Sequence, residues 1–126
     1  MKILIIDDSK AMRTFLVSLV KELCENSIVE AVDGRDALDK LIKNDPREPF
    51  AVALVDWDMP RMNGLEFVQF VRNNHDYDNL KLMMVTTNNS MEKLTQALEA
   101  GANDFLMKPV TKEALAEKLQ ILGLVE

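Results

Sequence analysis

The chain has 126 residues, 48% of them hydrophobic, a single cysteine and a formal net charge of −6. That length suits one domain with an ordinary core, while the acidic balance argues against nucleic acid, whose phosphates require a basic face. No apolar run is long enough to cross a membrane, and the N-terminus lacks a signal-peptide layout. Cys24 can form no intrachain disulfide, which fits a reducing cytosol, and its place near the end of an amphipathic stretch predicts a buried, inert thiol.

Residues 2–6 (KILII) form an apolar run ending in Asp7 and Asp8, which predicts a short buried strand with carboxylates at its C-terminal end. Ser9 is placed to cap the next helix, in which Met12, Phe15, Leu16, Leu19, Val20 and Leu23 recur as one apolar stripe. Residues 27–32 predict a second strand closed by an Asp33-Gly34 turn, and 35–43 a helix with Leu38, Leu41 and Ile42 inward. Pro46 and Pro49 make 45–49 a loop. The stretch FAVALVDWDMPRMNG at 50–64 is apolar up to Asp56. Asp58, Pro60 and Gly64 then punctuate a turn, so the run reads as a strand buried on both faces. Leu65, Val68 and Val71 predict the buried face of a third helix, with one of Phe67 and Phe70 left partly exposed.

A polar loop at 73–79 holds the only histidine, His75, which reads as solvated. KLMMVT at 81–86 predicts a fourth strand ending in the hydroxyls of Thr86 and Thr87. Ser90 caps a helix with Met91, Leu94 and Leu98 on one side and Gly101 as its stop. Residues 104–107 predict a fifth strand, followed by Lys108-Pro109, and a last helix spans about 111–122 with Thr111 as its cap. No repeat, low-complexity tract or linker interrupts this alternation.

Five continuously apolar strands alternating with five helices predict a parallel sheet covered on both faces, an α/β doubly wound three-layer sandwich. Right-handed crossovers leave few ways to wind it. A reversal after the first strand gives the order 2-1-3-4-5 and sets strands one and three side by side, at the switch point where open α/β sheets hold their ligands. Asp7, Asp8 and Asp56 would converge there, with Thr86 and Lys108 at the same edge.

Carboxylates held together stay ionised at neutral pH only with compensating charge. This set is all oxygen, with neither histidine nor thiolate, which favours a hard cation, Mg²⁺ ahead of Ca²⁺ or Mn²⁺. A metal with open positions, a lysine and a threonine hydroxyl suit phosphoryl transfer, where positioning and charge neutralisation dominate. Neither GxGxxG nor a P-loop pattern occurs, so no nucleotide is expected to be cradled here, and an aspartate can itself accept the phosphoryl group. Two other classes share part of the pattern. Asp56-Trp57-Asp58 resembles the DxD of haloacid-dehalogenase-type phosphatases, which belongs after a first strand in a longer, capped chain. A flavodoxin-type cofactor binder shares the sheet but needs a Ser/Thr/Gly-rich phosphate loop after strand one.

Taken together, Asp7-Asp8 after strand one, Asp56 after strand three, Thr86 after strand four and Lys108-Pro109 after strand five resemble the response-regulator receiver domains. The resemblance covers essentially the whole chain, residues 1–126, as a single domain. The segments DDSKAMR, DGRDAL, DWDMPRMNG, MVTT, AGANDFLMKP and EKL are similar in particular to single-domain chemotaxis members of that family. The 2-1-3-4-5 flavodoxin-like order is itself a property of the family, so resemblance and winding are not independent on that point.

The resemblance implies a cytoplasmic phosphoacceptor switch rather than an enzyme. Asp56 is then the phosphoacceptor, with a phosphohistidine on a sensor histidine kinase or phosphotransfer histidine domain as donor. Asp8 and Asp56 are implied to bind Mg²⁺ directly, Asp7 largely through water, and Asp58 through its backbone carbonyl. Lys108 is implied to pair with Asp56 and then with the phosphoryl group, and Thr86 to hydrogen-bond that group, with Thr87 and Trp57 beside it. Phe105 matches an aromatic switch and Pro109 a cis peptide. Output is implied through residues 90–122 to a protein partner: a flagellar motor switch, or alternatively a phosphorelay histidine protein or a phosphate-sink role. Two positions depart from the nearest members. Asp58 stands where asparagine is common, and Phe105 has no hydroxyl.

Overall fold

The computed structural model of the chain describes residues 1–23, 27–87 and 90–125; the thiol expected at Cys24 lies outside them. Along the chain run β1 (Lys2–Ile6), α1 (Lys10–Leu23), β2 (Ser27–Ala31), α2 (Gly34–Lys43), β3 (Val52–Asp56), α3 (Gly64–Arg72), a 3₁₀ turn (His75–Tyr77), β4 (Lys81–Thr86), α4 (Met91–Ala100), β5 (Asp104–Met107) and α5 (Lys112–Ile121). All strand pairs are parallel and the sheet order is β2-β1-β3-β4-β5. This is the predicted doubly wound sandwich.

Because successive side chains leave a strand on opposite faces, each apolar strand feeds two cores. On one face Leu4, Ile6, Ala53, Val55, Leu82 and Met84 pack beneath α2, α3 and α4. On the other, Ile3, Ile5, Leu54, Met83 and Val85 pack against Leu16 and Val20 of α1 and Leu115 and Leu119 of α5. Register then sets the functional edge. Ile6 pairs with Val55, so the residues that follow, Asp7 and Asp56, emerge level with each other. Thr86 pairs with Met107, and the Lys108 amide donates to the Thr86 carbonyl at 2.8 Å.

Helix starts follow local chemistry. Ser9 Oγ accepts from the Met12 amide at 3.2 Å, Thr111 Oγ1 from Ala114 at 3.1 Å, and Asn63 with Glu66 forms a reciprocal capping box on α3. Ser90 occupies the N-cap of α4 without a side-chain capping bond. Gly101 ends α4 at φ 117°, a left-handed stop, and a Cβ there would strike the Arg72 side chain.

Four predicted inward residues face outward: Phe15, Ile42, Met91 and Leu98 are exposed. The helices bury narrower stripes than periodicity suggests, and small residues do part of the work, Ala37 with Leu41 on α2 and Leu94 with Ala97 on α4. Of the two aromatics on α3, Phe67 is buried and Phe70 exposed. Asp33 caps α2 through the Asp36 amide rather than closing a free-standing turn. His75 is exposed, with Nδ1 3.2 Å from Asp78 Oδ2. Among the described residues no helix is long and apolar enough to cross a membrane.

Candidate functional site

Level strand ends gather the charged groups. Asp7 and Asp56 are both buried, at 1% and 6% exposure, and Asp8 faces solvent beside them. Carboxylate oxygens of the three lie within 4.8 Å of one another. Lys108 reaches back from beyond β5, its Nζ donating to Asp7 Oδ2 at 3.2 Å and Asp56 Oδ1 at 3.1 Å. Asp7 is fixed by further bonds: its Oδ1 accepts from the Ser9 amide at 2.9 Å, and its carbonyl accepts from Arg13 Nη1 at 2.8 Å.

Crowding shows in the titration of these groups. Burial first, and the Asp7 carboxylate second, push Asp56 up to about 6, against the pull of Lys108. Burial alone would lower Lys108, but Asp56 and Asp7 outweigh it and hold the ammonium above its ordinary range. One cation therefore offsets two buried anions. The edge remains short of positive charge.

The segment after β3 is tightly laid. The Gly64 amide donates to the Trp57 carbonyl at 2.9 Å. A Cβ on Gly64 would strike the Asp56 carbonyl and Met84 Cε, so only glycine lets the chain turn back this close to Asp56. Trp57 is buried in the core beneath α2, α3 and α4, with Lys93 Nζ 5.6 Å from its ring centre. Asp58 is exposed.

The structure thus brings Asp7, Asp8, Asp56 and Lys108 together. Thr86 is buried at the end of β4, on the same edge, and Thr87 just beyond it is exposed. The Lys108-Pro109 peptide is cis. Phe105 stands apart from the carboxylates, half-buried against the α2–α3–α4 core, with Lys118 Nζ 5.2 Å from its ring centre. Lys118 also bonds Asp104 Oδ1 at 2.9 Å. Sequence reasoning missed the pairing of Arg61 with Asp33 and the close approach at Gly64. The glycine's spacing after Asp56 was the available signal for the second, and nothing local signals the first.

The donor set fits a hard divalent cation. Among the described residues it is three carboxylates without nitrogen or sulfur, two of them buried, with one lysine ion-paired to them.

The response regulator receiver domain family matches residues 3–120. The chain is 40% identical over 124 residues to a Chemotaxis protein CheY homolog of Campylobacter jejuni, covering 98% of this chain and 93% of that protein. To Chemotaxis protein CheY1 of Helicobacter pylori it is 35% identical, covering 97% and 96% respectively. Among solved structures, the chemotaxis response regulator CheY4 of Vibrio cholerae superposes with a TM-score of 0.85 at 35% identity, covering 96% of this chain and 97% of that one.

Proposed function

This chain belongs to the response regulator receiver domain family, and on that premise we propose that residues 1–126 act as one cytoplasmic receiver whose Asp56 takes a phosphoryl group from a phosphohistidine. The observation that carries the reading is the half-buried Lys108 ammonium held between the buried Asp7 and Asp56 carboxylates at 3.2 and 3.1 Å. A lysine so placed neutralises charge that would otherwise gather as a phosphoryl dianion approaches three carboxylates.

In the transfer, an Asp56 oxygen attacks phosphorus, the P–N bond to the donor imidazole breaks, and its electron pair leaves with that ring nitrogen. Asp56 must be ionised to attack. With its pKa near 6 it is so at neutral pH. Asp8 and Asp56 directly, Asp7 through water and Asp58 through its backbone carbonyl would hold Mg²⁺, which would supply the remaining positive charge for the phosphoryl oxygens. Lys108 follows the charge from the carboxylate to the phosphoryl oxygens. Thr86 donates its hydroxyl to the same group, with Thr87 and Trp57 flanking it. Phe105 turns inward in response, altering the face formed by residues 90–122. The chain processes no separate substrate; the acceptor is its own side chain.

Full-length similarity to proteins named for chemotaxis supports a flagellar motor switch as the output partner. Capture from lysate with a phosphoryl mimic present tests this. Recovery of a phosphotransfer histidine protein instead would mark a relay or phosphate-sink role.

The central test uses acetyl phosphate with Mg²⁺. The parent should gain one acid-labile phosphoryl group per chain and Asp56→Asn none; labelling of that variant would overturn the assignment. Trp57, the only tryptophan, follows Asp56 directly and serves as reporter. Mg²⁺ should change its fluorescence saturably in the parent and not in Asp8→Ala. At a hundredfold excess over its Kd the ion should also add about 2.7 kcal/mol of stability.

A further inference from the structure

The loop between β3 and α3, residues 57–63, carries Asp58 past the carboxylates and is tethered midway to a different part of the fold. Arg61 sits at φ 65°, the one non-glycine residue at positive φ among those described. Side chains other than glycine seldom hold this region without an outside partner. The partner is Asp33, 28 residues earlier, whose Oδ2 accepts from Arg61 Nε at 2.6 Å. The Asp33 side chain is 3% exposed, whereas that of Arg61 is 60% exposed.

Asp33 is doubly committed. Its other oxygen, Oδ1, accepts from the Asp36 amide at 2.8 Å and caps α2. Burial works against its ionisation, but the Asp36 amide and Arg61 outweigh it and hold the carboxyl below the usual range. The neighbouring residues repeat the tether: the Gly34 amide donates to the Met62 carbonyl at 3.3 Å. Met62 also fills the space a Cβ on Gly34 would need. Capping α2 requires one oxygen, which asparagine or serine would supply equally. The second oxygen is therefore surplus to the cap, and it is directed at the strained residue of the loop. Arg61, for its part, is exposed enough to be solvated without a partner and would then relax to an ordinary φ.

We infer that Asp33 and Arg61 form a positioning pair that sets the conformation of the 57–63 loop, and with it the Asp58 carbonyl offered to Mg²⁺ at the Asp7–Asp8–Asp56 cluster. The inference rests on the reading of that cluster as a metal site. Neither residue belongs to that carboxylate cluster; both act through the loop, as outer hydrogen bonds commonly tune a metal's ligands.

Two substitutions separate this role from simple folding support. Arg61→Gly removes the bridge and the strain together, because glycine holds positive φ freely. Asp33→Asn removes the charge and keeps an oxygen for the α2 cap. Both are made in the full chain, and Mg²⁺ is titrated by Trp57 fluorescence alongside a thermal midpoint measured in EDTA. Each single variant should bind Mg²⁺ on the order of tenfold more weakly. The midpoint of Arg61→Gly should stay close to the parent's. The double variant should bind no more weakly than the weaker single, because both changes remove one interaction. A Kd equal to the parent's in either single, or losses that multiply in the double, would overturn the inference. A parent that gives no response to Mg²⁺ would remove the metal reading itself, a distinct result from a responsive parent with unaffected variants.

Discussion

At the C-terminal edge of the sheet Lys108 faces two buried carboxylates, with the third, from Asp8, beside them. At the opposite edge a second half-buried cation, Arg72, is bonded to neutral oxygens. Arg72 donates Nε to the Gly101 carbonyl at 2.9 Å, Nη1 to Tyr77 at 2.9 Å, and Nη2 to Leu80 at 2.7 Å and Asn103 Oδ1 at 3.0 Å. Asn103 Oδ1 in turn accepts from the Leu82 amide at 2.8 Å. Arg72 therefore binds α3 to the segments that open β4 and β5 through four hydrogen bonds from its fork of donors. Burial draws its pKa below the ordinary value, with Asp78 pulling the other way. One edge is a completed structural joint, while the other carries more anion than cation and is stable only in proportion to what neutralises it. A sheet can hold a reactive site at one end because the other end asks nothing of it.

The widest separation between the edges should appear in phosphorylation. Asp56→Asn should abolish acid-labile labelling, whereas Arg72→Ala should keep one group per folded chain. Loss of labelling in folded Arg72→Ala would mean the edges are coupled. Stability should reverse the ranking. Arg72→Ala strands several carbonyls and should cost about 3 kcal/mol in urea unfolding. Lys108→Ala should cost clearly less, because Asp56 can relieve the lost partner by taking a proton. It should still label in part while failing to signal. Equal losses in the two variants would break the contrast.

A smaller effect follows from acidity. Asp56 titrates near 6 when folded, against 3.8 as its ordinary value. The folded state thus takes up this proton first as pH falls. Ionised Asp56 weakens the metal-free fold above about pH 6, and that cost fades towards about pH 4. Moving from about pH 7 to about pH 5 in EDTA should stabilise the parent by about 1 kcal/mol and leave Asp56→Asn nearly flat. A parent that loses stability over this interval would contradict the electrostatic picture. The smallest effect concerns Asp58, exposed beside the site. Its carboxylate can orient an attacking water, so Asp58→Asn should lengthen the phosphorylated lifetime severalfold, a barrier change within about 1.4 kcal/mol. Unchanged or faster decay would show that the side chain only faces water.

The sequence by itself determined the strands and the acids at their ends. A strand buried on both faces must be a continuous apolar run, and it must stop where polar groups appear, so β1, β3 and β4 give way at Asp7, Asp56 and Thr86, while the edge strand β5 runs into Lys108. From that, parallel winding brought the carboxylates and the lysine to one edge. Tertiary structure alone decided the rest. Helical periodicity marks an apolar face but not its width, so Phe15, Ile42, Met91 and Leu98 read as core and stand in solvent, while Ala37 and Ala97 are buried. Arg72 stands in the last turn of α3, where a cation is ordinary, yet its partners include Gly101 and Asn103, 29 and 31 residues away. Arg61 and Asp33 are likewise unremarkable in sequence and meet only because α2 and the 57–63 loop border the same edge. Local pattern reports what a segment can bury; which distant polar groups then meet is fixed by strand register and by the loops it brings side by side.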